Sequence, residues 1–382
     1  MRRFTIPQGT LWFAVRCARP PPAGETNRPP VFRSPVFRFV TAPGIAGRMP
    51  RVRESAKGNR MDSLPVPWSP LVGPWERAEN ALARLDQSLA AGALAAAWGA
   101  RASLAEAAAS AWLDGAAVPL EDLVLHDADT SPRLPSPALF KARSVLLARR
   151  ALARRTPAEV LTVAGILALH RRRRHPEENE EGEKAERGRS AGEGRGDAEQ
   201  RLAAWLRRVA DLDSVPALPA AAVAFQAWCA DPPVTHGHGI LGRLLIPVML
   251  HARGKTRHHT LTFATGLQQV WPGPRRGTPI ESQLAAILDA ITAAAVHGLE
   301  AHRRLIVAKH ALARPLAGRR SSSRLAALAE LLLEQPLVSA PMAARHLGLS
   351  LRGATLLIEE LVRAGCVVER TGRSRYRAFS LV

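Results

Sequence analysis

From Trp75 onward the apolar positions of the chain recur at a helical period. Ala78, Leu82, Leu85, Leu89 and Ala93 fall on one face, which predicts a helix from Trp75 to Ala100. A second helix is predicted from Ala102 to Leu113, ended by Asp114-Gly115, because glycine suits the left-handed position that closes a helix. Pro119-Leu120-Glu121-Asp122-Leu123 opens a short helix, with proline in the first turn and acids facing the amide end of the dipole. Ser136-Pro137 starts another that runs to Arg155, and Thr156-Pro157 opens the next, carrying Leu161, Ile166 and Leu169 to His170. Between Arg171 and Gln200, four arginines lead into a Glu/Gly/Arg/Lys run without one large apolar side chain. With nothing to bury, that stretch reads as a solvated, flexible linker. Helices resume at about 201–210, 217–230, 240–253, 279–296 and 298–313, and Pro315 to Ser323 forms a second hinge.

Past that hinge the pattern becomes that of a small module. Leu325 to Glu334 is amphipathic and ends at Gln335-Pro336. Ser339 caps a helix that leads through Leu347 to the turn residue Gly348. Ser350 caps a third, with Ala354, Leu357, Ile358 and Leu361 inward. The short turn between the last two helices is that of a helix-turn-helix. Cys366 to Arg370, a turn at Thr371-Gly372, and Tyr376 to Phe379 then predict a hairpin, the wing. After the Ser350 cap, the outward face of the third helix offers Arg352, Thr355 and Arg363, and the hairpin carries Arg370, Arg373, Arg375 and Arg377. A helix in a major groove needs side chains that reach base edges, and a wing needs cations opposite phosphates. These eight residues are the candidate contacts to double-stranded DNA. Glu359 and Glu360 on the same helix repel phosphate, so a protein-interaction module without DNA contact is the competing reading.

Composition alters this picture in one place. The net charge of +20 resembles a nucleic-acid footprint, but twelve basic residues against only Glu25 and Glu54 precede Met61. Half the excess therefore sits in residues 1–60, a proline-loaded segment without periodicity, expected to be a disordered basic tail and a spurious extension of a start at Met61. Cys17, Cys229 and Cys366 are far apart and odd in number, which supports neither a disulfide framework nor a thiolate zinc site and suits the cytoplasm. No unbroken run of about 18 apolar residues is present, so no membrane partner is expected.

Two stretches of the body carry a resemblance. The run from Pro219 to Trp228 and the segment from Pro232 to Leu250 (PPVTHGHGILGRLLIPVML) resemble the central helix-loop-helix of Fic proteins, whose signature is H-P-F-x-[D/E]-G-N-G-R-x-x-R. Ala109 to Gly115 looks like that family's inhibitory helix, [S/T]-x-x-x-E-[G/N], with Ser110, Asp114 and Gly115 on its positions and Asp114 replacing Glu. Pro119 to Leu123 fits the same family. The resemblance implies a mainly α chain, a Fic-like helical bundle followed by a C-terminal winged helix-turn-helix, from a family that transfers AMP or related groups to hydroxyl side chains. The catalytic loop departs from the signature. Pro232 stands at the histidine position, His236 at the acid, His238 at the asparagine and Ile240 at the first arginine. Proline is no general base, so no catalytic residues and no cofactor are expected. Gly237, Gly239, Gly242 and Arg243 remain as an anion-binding remnant, since backbone amides before a helix can cradle phosphate. The whole chain resembles a bacterial family pairing a domain of unknown function with a helix-turn-helix, through His236-Gly237, Leu241 to Leu245, Leu120 to Asp127 and Arg319 to Arg324.

Other constellations add little. His236, His238, His251, His258 and His259 lack a third ligand at zinc spacing. Arg253-Gly254-Lys255-Thr256-Arg257 lacks the upstream glycine of a phosphate loop, because Met249 occupies it. Trp75, Trp98, Trp112, Trp205 and Trp228 are expected in the core. The expected organisation is a basic tail (1–60), a Fic-like body (61–170 and 201–314) interrupted by a linker (171–200), and a winged helix-turn-helix (321–382). The expected function is DNA-binding transcriptional regulation, with residual Fic-type nucleotidyl transfer as the alternative. A homodimer contact and a nucleotide or small-molecule effector are further roles open to the body.

Overall fold

The computed structural model describes residues 66–90, 92–128, 135–173, 195–258, 260–270, 278–318, 323–372 and 377–382. The basic tail and the Glu/Gly/Arg run of 174–194 lie outside them. All described residues belong to the unit Ser34–Val382.

A 3-10 turn, Ser69–Leu71, leads into α1 (Val72–Ala90), which buries Ala78, Leu82, Leu85 and Leu89 of the face that the period predicts, together with Ala81, while Ala93 lies beyond its end and is exposed. The chain breaks at Gly92 instead of near Arg101, and α2 runs unbroken over Ala95–Leu113. Gly99 does not end the helix, and burial on nearly every side of the alanine-rich α2 leaves no single stripe to mark its limits. Then come α3 (Leu120–Asp127) and α4 (Pro137–Leu152), where Ser136 Oγ accepts from Leu139 N at 3.2 Å. The helix expected from Thr156 to His170 is two: α5 (Pro157–Val160) and α6 (Val163–Arg173). Thr162 Oγ1 accepts from Gly165 N at 2.9 Å and so caps a new start.

The α7 helix (Arg195–Asp211) begins six residues before the expected 201, inside the stretch read as linker. Its first turns are polar and exposed or half-exposed, and Leu202 is its first fully buried side chain, which is where the pattern becomes readable. After α8 (Ala217–Ala230) and α9 (His238–Ala252) comes α10 (Phe263–Val270), a helix too short to announce itself in the sequence. The largest correction concerns α11, one helix over Ile280–Leu316 where two were expected, parted at His297. Gly298 lies inside it because a Cβ there would come within 3.1 Å of Leu85 and Trp98, and Trp98 Nε1 donates to Gly298 O at 2.9 Å. The glycine serves a close helix crossing, not a break. By length and composition α11 alone among the described helices is apolar enough to cross a membrane, with a best window of mean hydropathy 1.4. Here Leu284, Ile287, Leu288, Ile291, Ala294 and Ala295 are buried, and α11 packs on α1 and α10 as the central helix of the body.

The C-terminal module comprises α12 (Arg324–Glu334), β1 (Val338–Ser339), α13 (Ala340–Leu347), α14 (Leu351–Arg363), β2 (Val367–Glu369) and β3 (Ala378–Leu381). β3 is central and antiparallel to both neighbours, pairing Phe379 with Val338 and Leu381 with Val367. The two-residue β1 has no readable sequence signal of its own. The module is tied to the body by Arg101 of α2, whose guanidinium donates to Leu332 O and Leu333 O at 2.6 Å each and to Gln335 O at 2.9 Å. A cation thereby satisfies the free carbonyls at the C-terminal end of α12. Burial pulls the Arg101 pKa down to about 10, so it remains charged at neutral pH. Arg345 of α13 donates to Ala128 O at 2.8 Å, and Cys366 Sγ to Ala311 O at 3.4 Å.

Candidate nucleic-acid interface

Local sequence sets the two helices of the helix-turn-helix. Ser339 Oγ accepts from Met342 N at 3.3 Å to start α13. Gly348, at φ 63°, turns the chain in a conformation that a side chain would strain. Ser350 Oγ accepts from Gly353 N at 3.1 Å to start α14. Ala354, Ile358 and Leu361 are buried, and Leu357 is half-buried. Their face of α14 packs on α13 and α12, which fixes the opposite face outward.

On that face Arg352, Leu356, Glu359 and Arg363 are all exposed, and no ion pair holds the two arginines among the described residues. Thr355 is half-exposed and donates its hydroxyl to Leu351 O at 2.8 Å. In the hairpin, Arg370 is exposed and its Nε donates to Ser380 Oγ at 2.9 Å. The Arg377 guanidinium carbon lies 5.2 Å from the ring centroid of Phe379, a cation-π distance. Thr355, Glu359, Arg363, Arg377 and Phe379 line one hollow of about 240 Å³ between α14 and the sheet. The fold therefore brings Thr355, Arg363 and Arg377 together, and places Arg352 three residues before Thr355, toward the N-terminal end of α14. Ser350 is occupied as the helix cap. Arg373 and Arg375 lie outside the described residues. The wing turn is organised by Glu369, whose Oε1 accepts from the Thr371 hydroxyl, from Thr371 N at 2.7 Å and from Gly372 N at 3.0 Å. These bonds, the hydroxyl's first, hold the Glu369 carboxyl below the usual carboxylate range. Sequence reading missed Leu356, an apolar side chain on the outward face that its helical phase alone identifies.

In the body, the end of α2 meets the start of α9. Arg243 is 1% exposed; its Nε donates to Ser110 Oγ at 3.0 Å, and Nη2 to Ser110 O at 3.0 Å and Asp114 Oδ1 at 2.7 Å. Lys141 Nζ approaches the other carboxylate oxygen at 3.8 Å. Ser110 and Asp114, at the end of α2, thus bind Arg243, while Gly115 is exposed. Gly239 borders that cluster, since a Cβ there would lie 3.1 Å from Arg243 Nη1. Gly237 precedes α9 at φ 60°, and Gly242 faces the Trp228 ring, 2.7 Å from where its Cβ would be, so its role is packing. The loop is pinned through its carbonyls: Arg201 Nε donates to Pro233 O at 3.2 Å and Trp228 Nε1 to His238 O at 2.8 Å. His170 Nε2 lies 3.0 Å from His236 O.

Sequence reading also missed a buried ionic group. Glu106, fully buried in α2, accepts from Ala264 N at 3.0 and 2.9 Å with its two oxygens, at the start of α10. Arg149, also buried, donates to Leu261 O at 3.2 Å and Thr260 O at 3.1 Å. Burial pushes the Glu106 carboxyl up, opposed by the charge of Arg149, and the same burial lowers Arg149. A glutamate amid alanines in a helix buried on most sides was the available signal.

Among the described residues no three His, Cys, Asp or Glu are placed to hold a metal, and His259 lies outside them. Arg253 donates to Val215 O at 2.9 Å and Lys255 pairs with Glu79, so the basic run after α9 serves internal contacts. Trp98, Trp205 and Trp228 are core residues and Trp75 is half-buried. Trp112 is the correction, at 49% exposed beside a shallow hollow of about 520 Å³. It borders that hollow with Ala108, Ala109, Val118, Pro119 and Leu120 rather than entering the core.

These features define a mainly helical protein with a C-terminal winged helix-turn-helix. Residues 193–317 match the family described as "Protein of unknown function (DUF1612)", and residues 325–382 match "HTH DNA binding domain". The uncharacterized protein y4cF of Sinorhizobium fredii is 31% identical over 382 residues, covering 84% of this chain and 99% of that one. The chain belongs to the family, shared with y4cF, that pairs a DUF1612 domain with a helix-turn-helix domain. Among solved structures it is similar to a Fic family protein from Desulfovibrio desulfuricans G20, at 14% identity and a TM-score of 0.41, over 79% of this chain and 96% of the other.

Proposed function

We propose that the protein is a cytoplasmic transcriptional regulator that docks α14 in the major groove of double-stranded DNA and lays its hairpin on the flanking backbone. The observation that carries this reading is the outward face of α14, with Arg352 and Arg363 exposed on it, Arg377 of the hairpin lining a hollow with Arg363, and Arg370 exposed in the hairpin, on a module that matches a DNA-binding family. Arg373 and Arg375 extend the same cationic edge in the sequence. Thr355 joins the set from the edge of the reading face, and Ser350 starts the helix by capping it.

In this account the helices up to Arg173 and from Arg195 to Leu316 form a Fic-like body without catalysis, and 321–382 the DNA module. The loss of base, acid and first arginine at Pro232, His236 and Ile240 supports that view, as does the commitment of Arg243 to Ser110 and Asp114. The body then serves dimerisation or the sensing of a nucleotide or small molecule. The hollow beside Trp112 has a volume in the range of small-ligand sites.

Fluorescence-anisotropy titration of the full chain with duplex DNA across a salt series tests the proposal. The wild type binds with a steep salt dependence. The Arg352→Ala/Arg373→Ala double variant binds at least tenfold more weakly, with a slope lower by about 0.9 for each phosphate that the variant no longer neutralises. Unchanged affinity in the double variant removes the residue assignment, and no duplex binding at low salt removes the function.

A further inference from the structure

Arg352, Leu356, Glu359 and Arg363 occupy successive turns of one stripe on α14, opposite the buried Ala354, Ile358 and Leu361. The middle of the stripe is the wrong chemistry for a phosphate backbone. Leu356, 54% exposed, offers no donor, and the Glu359 carboxylate repels phosphate. Both side chains suit base edges. The thymine 5-methyl group is the one apolar feature of the major groove, and the cytosine N4 amine is a donor that a carboxylate accepts. The two residues are three apart, about 4.5 Å along a helix axis. That is close to one base-pair rise of about 3.4 Å. The arginines at the ends of the stripe and those of the hairpin supply the charge that a polyanion requires around such a reading centre.

We infer that Leu356 and Glu359 are the specificity-determining residues of the recognition helix, Leu356 reading a thymine methyl and Glu359 the amine of a cytosine at the neighbouring base pair. This rests on the reading of α14 as a DNA-binding helix and adds which bases it selects. Both residues are exposed, so their replacement leaves the core of the module intact.

The test selects duplexes from a random-sequence pool with the full chain, in parallel for the wild type, Leu356→Ala and Glu359→Gln. Replacement of single thymines by uracil in the selected duplex then removes one methyl group at a time. The expected result is a wild-type motif with adjacent T and C positions. Uracil at that thymine weakens wild-type binding about fourfold, the worth of one buried methyl-sized group. The same replacement leaves Leu356→Ala unaffected. Glu359→Gln loses its preference for cytosine at the neighbouring position by about tenfold. A motif identical in all three proteins, with no uracil sensitivity, overturns this inference and leaves DNA binding standing. No duplex enriched by the wild type overturns the underlying reading as well, and with it this one.

Discussion

Asp114→Ala removes the carboxylate that Arg243 reaches at 2.7 Å while leaving both of its bonds to Ser110. The Arg243 side chain is 2% exposed and that of Asp114 17% exposed. Breaking a buried ion pair from one side costs about 3–5 kcal/mol, because the remaining charge stays buried without its partner. Two features place this pair near the low end. The Asp114 carboxylate itself touches solvent, and Glu106 is close enough to Arg243 to feel its charge, so a second counter-charge survives. The loss expected is about 3 kcal/mol, which at roughly 2–4 °C per kcal/mol lowers the melting temperature by about 6–12 °C. Asp114→Asn keeps the acceptor and loses the charge, so its melting temperature falls between the two. Differential scanning fluorimetry of the three proteins at one concentration reads this directly. A melting temperature for Asp114→Ala within about 1 °C of the wild type, well inside the shift expected for 1 kcal/mol, refutes the view that this pair anchors α2 to α9.

Four further outcomes follow from the same structure. Arg101→Ala strips three charge-assisted bonds from the end of α12, and at about 3 kcal/mol raises amide exchange in its last turn about a hundredfold; unaltered exchange shows that the latch is idle. Because the folded Glu369 carboxyl titrates below its ordinary range, the order it gives the wing is complete above that range and lost as pH falls through the depressed value. The amide shifts of Thr371 and Gly372, followed from neutral to acid pH, will report that loss, and Glu369→Gln will flatten the profile. Gly298→Leu drives a side chain against Leu85 and Trp98 and should cost about 1–3 kcal/mol by urea unfolding; a neutral result means that α1 and α11 are less closely packed. Incubation of Asp114→Gly with labelled ATP and Mg²⁺ in lysate should label no protein, and a labelled band would restore the nucleotidyl-transfer alternative.

What the sequence made legible divides along physical lines. Local signals were readable: the Ser339 and Ser350 caps, the turn at Gly348 and the inward face of α14 are set within a few residues, and all appear in the structure. Features set by distant contacts were not. The α11 helix runs unbroken past His297, and Gly298 is held there by Leu85 and Trp98, some two hundred residues earlier, which need its missing side chain. α10 owes its start to Glu106 from another helix, and the Arg101 latch joins α2 to α12 across more than two hundred residues. Ser110, Asp114 and Arg243 were nominated by resemblance, and their meeting in one cluster is a structural result. Leu356 went unread because an exposed leucine is unremarkable until the face it occupies is known.

Genome-wide recovery of DNA crosslinked to the tagged full-length protein tests the central claim most directly. The account predicts enrichment at discrete sites that share one short motif, lost when Arg352 and Arg363 are replaced together by alanine. Recovery no greater than that of an untagged control, with no shared motif, would contradict it.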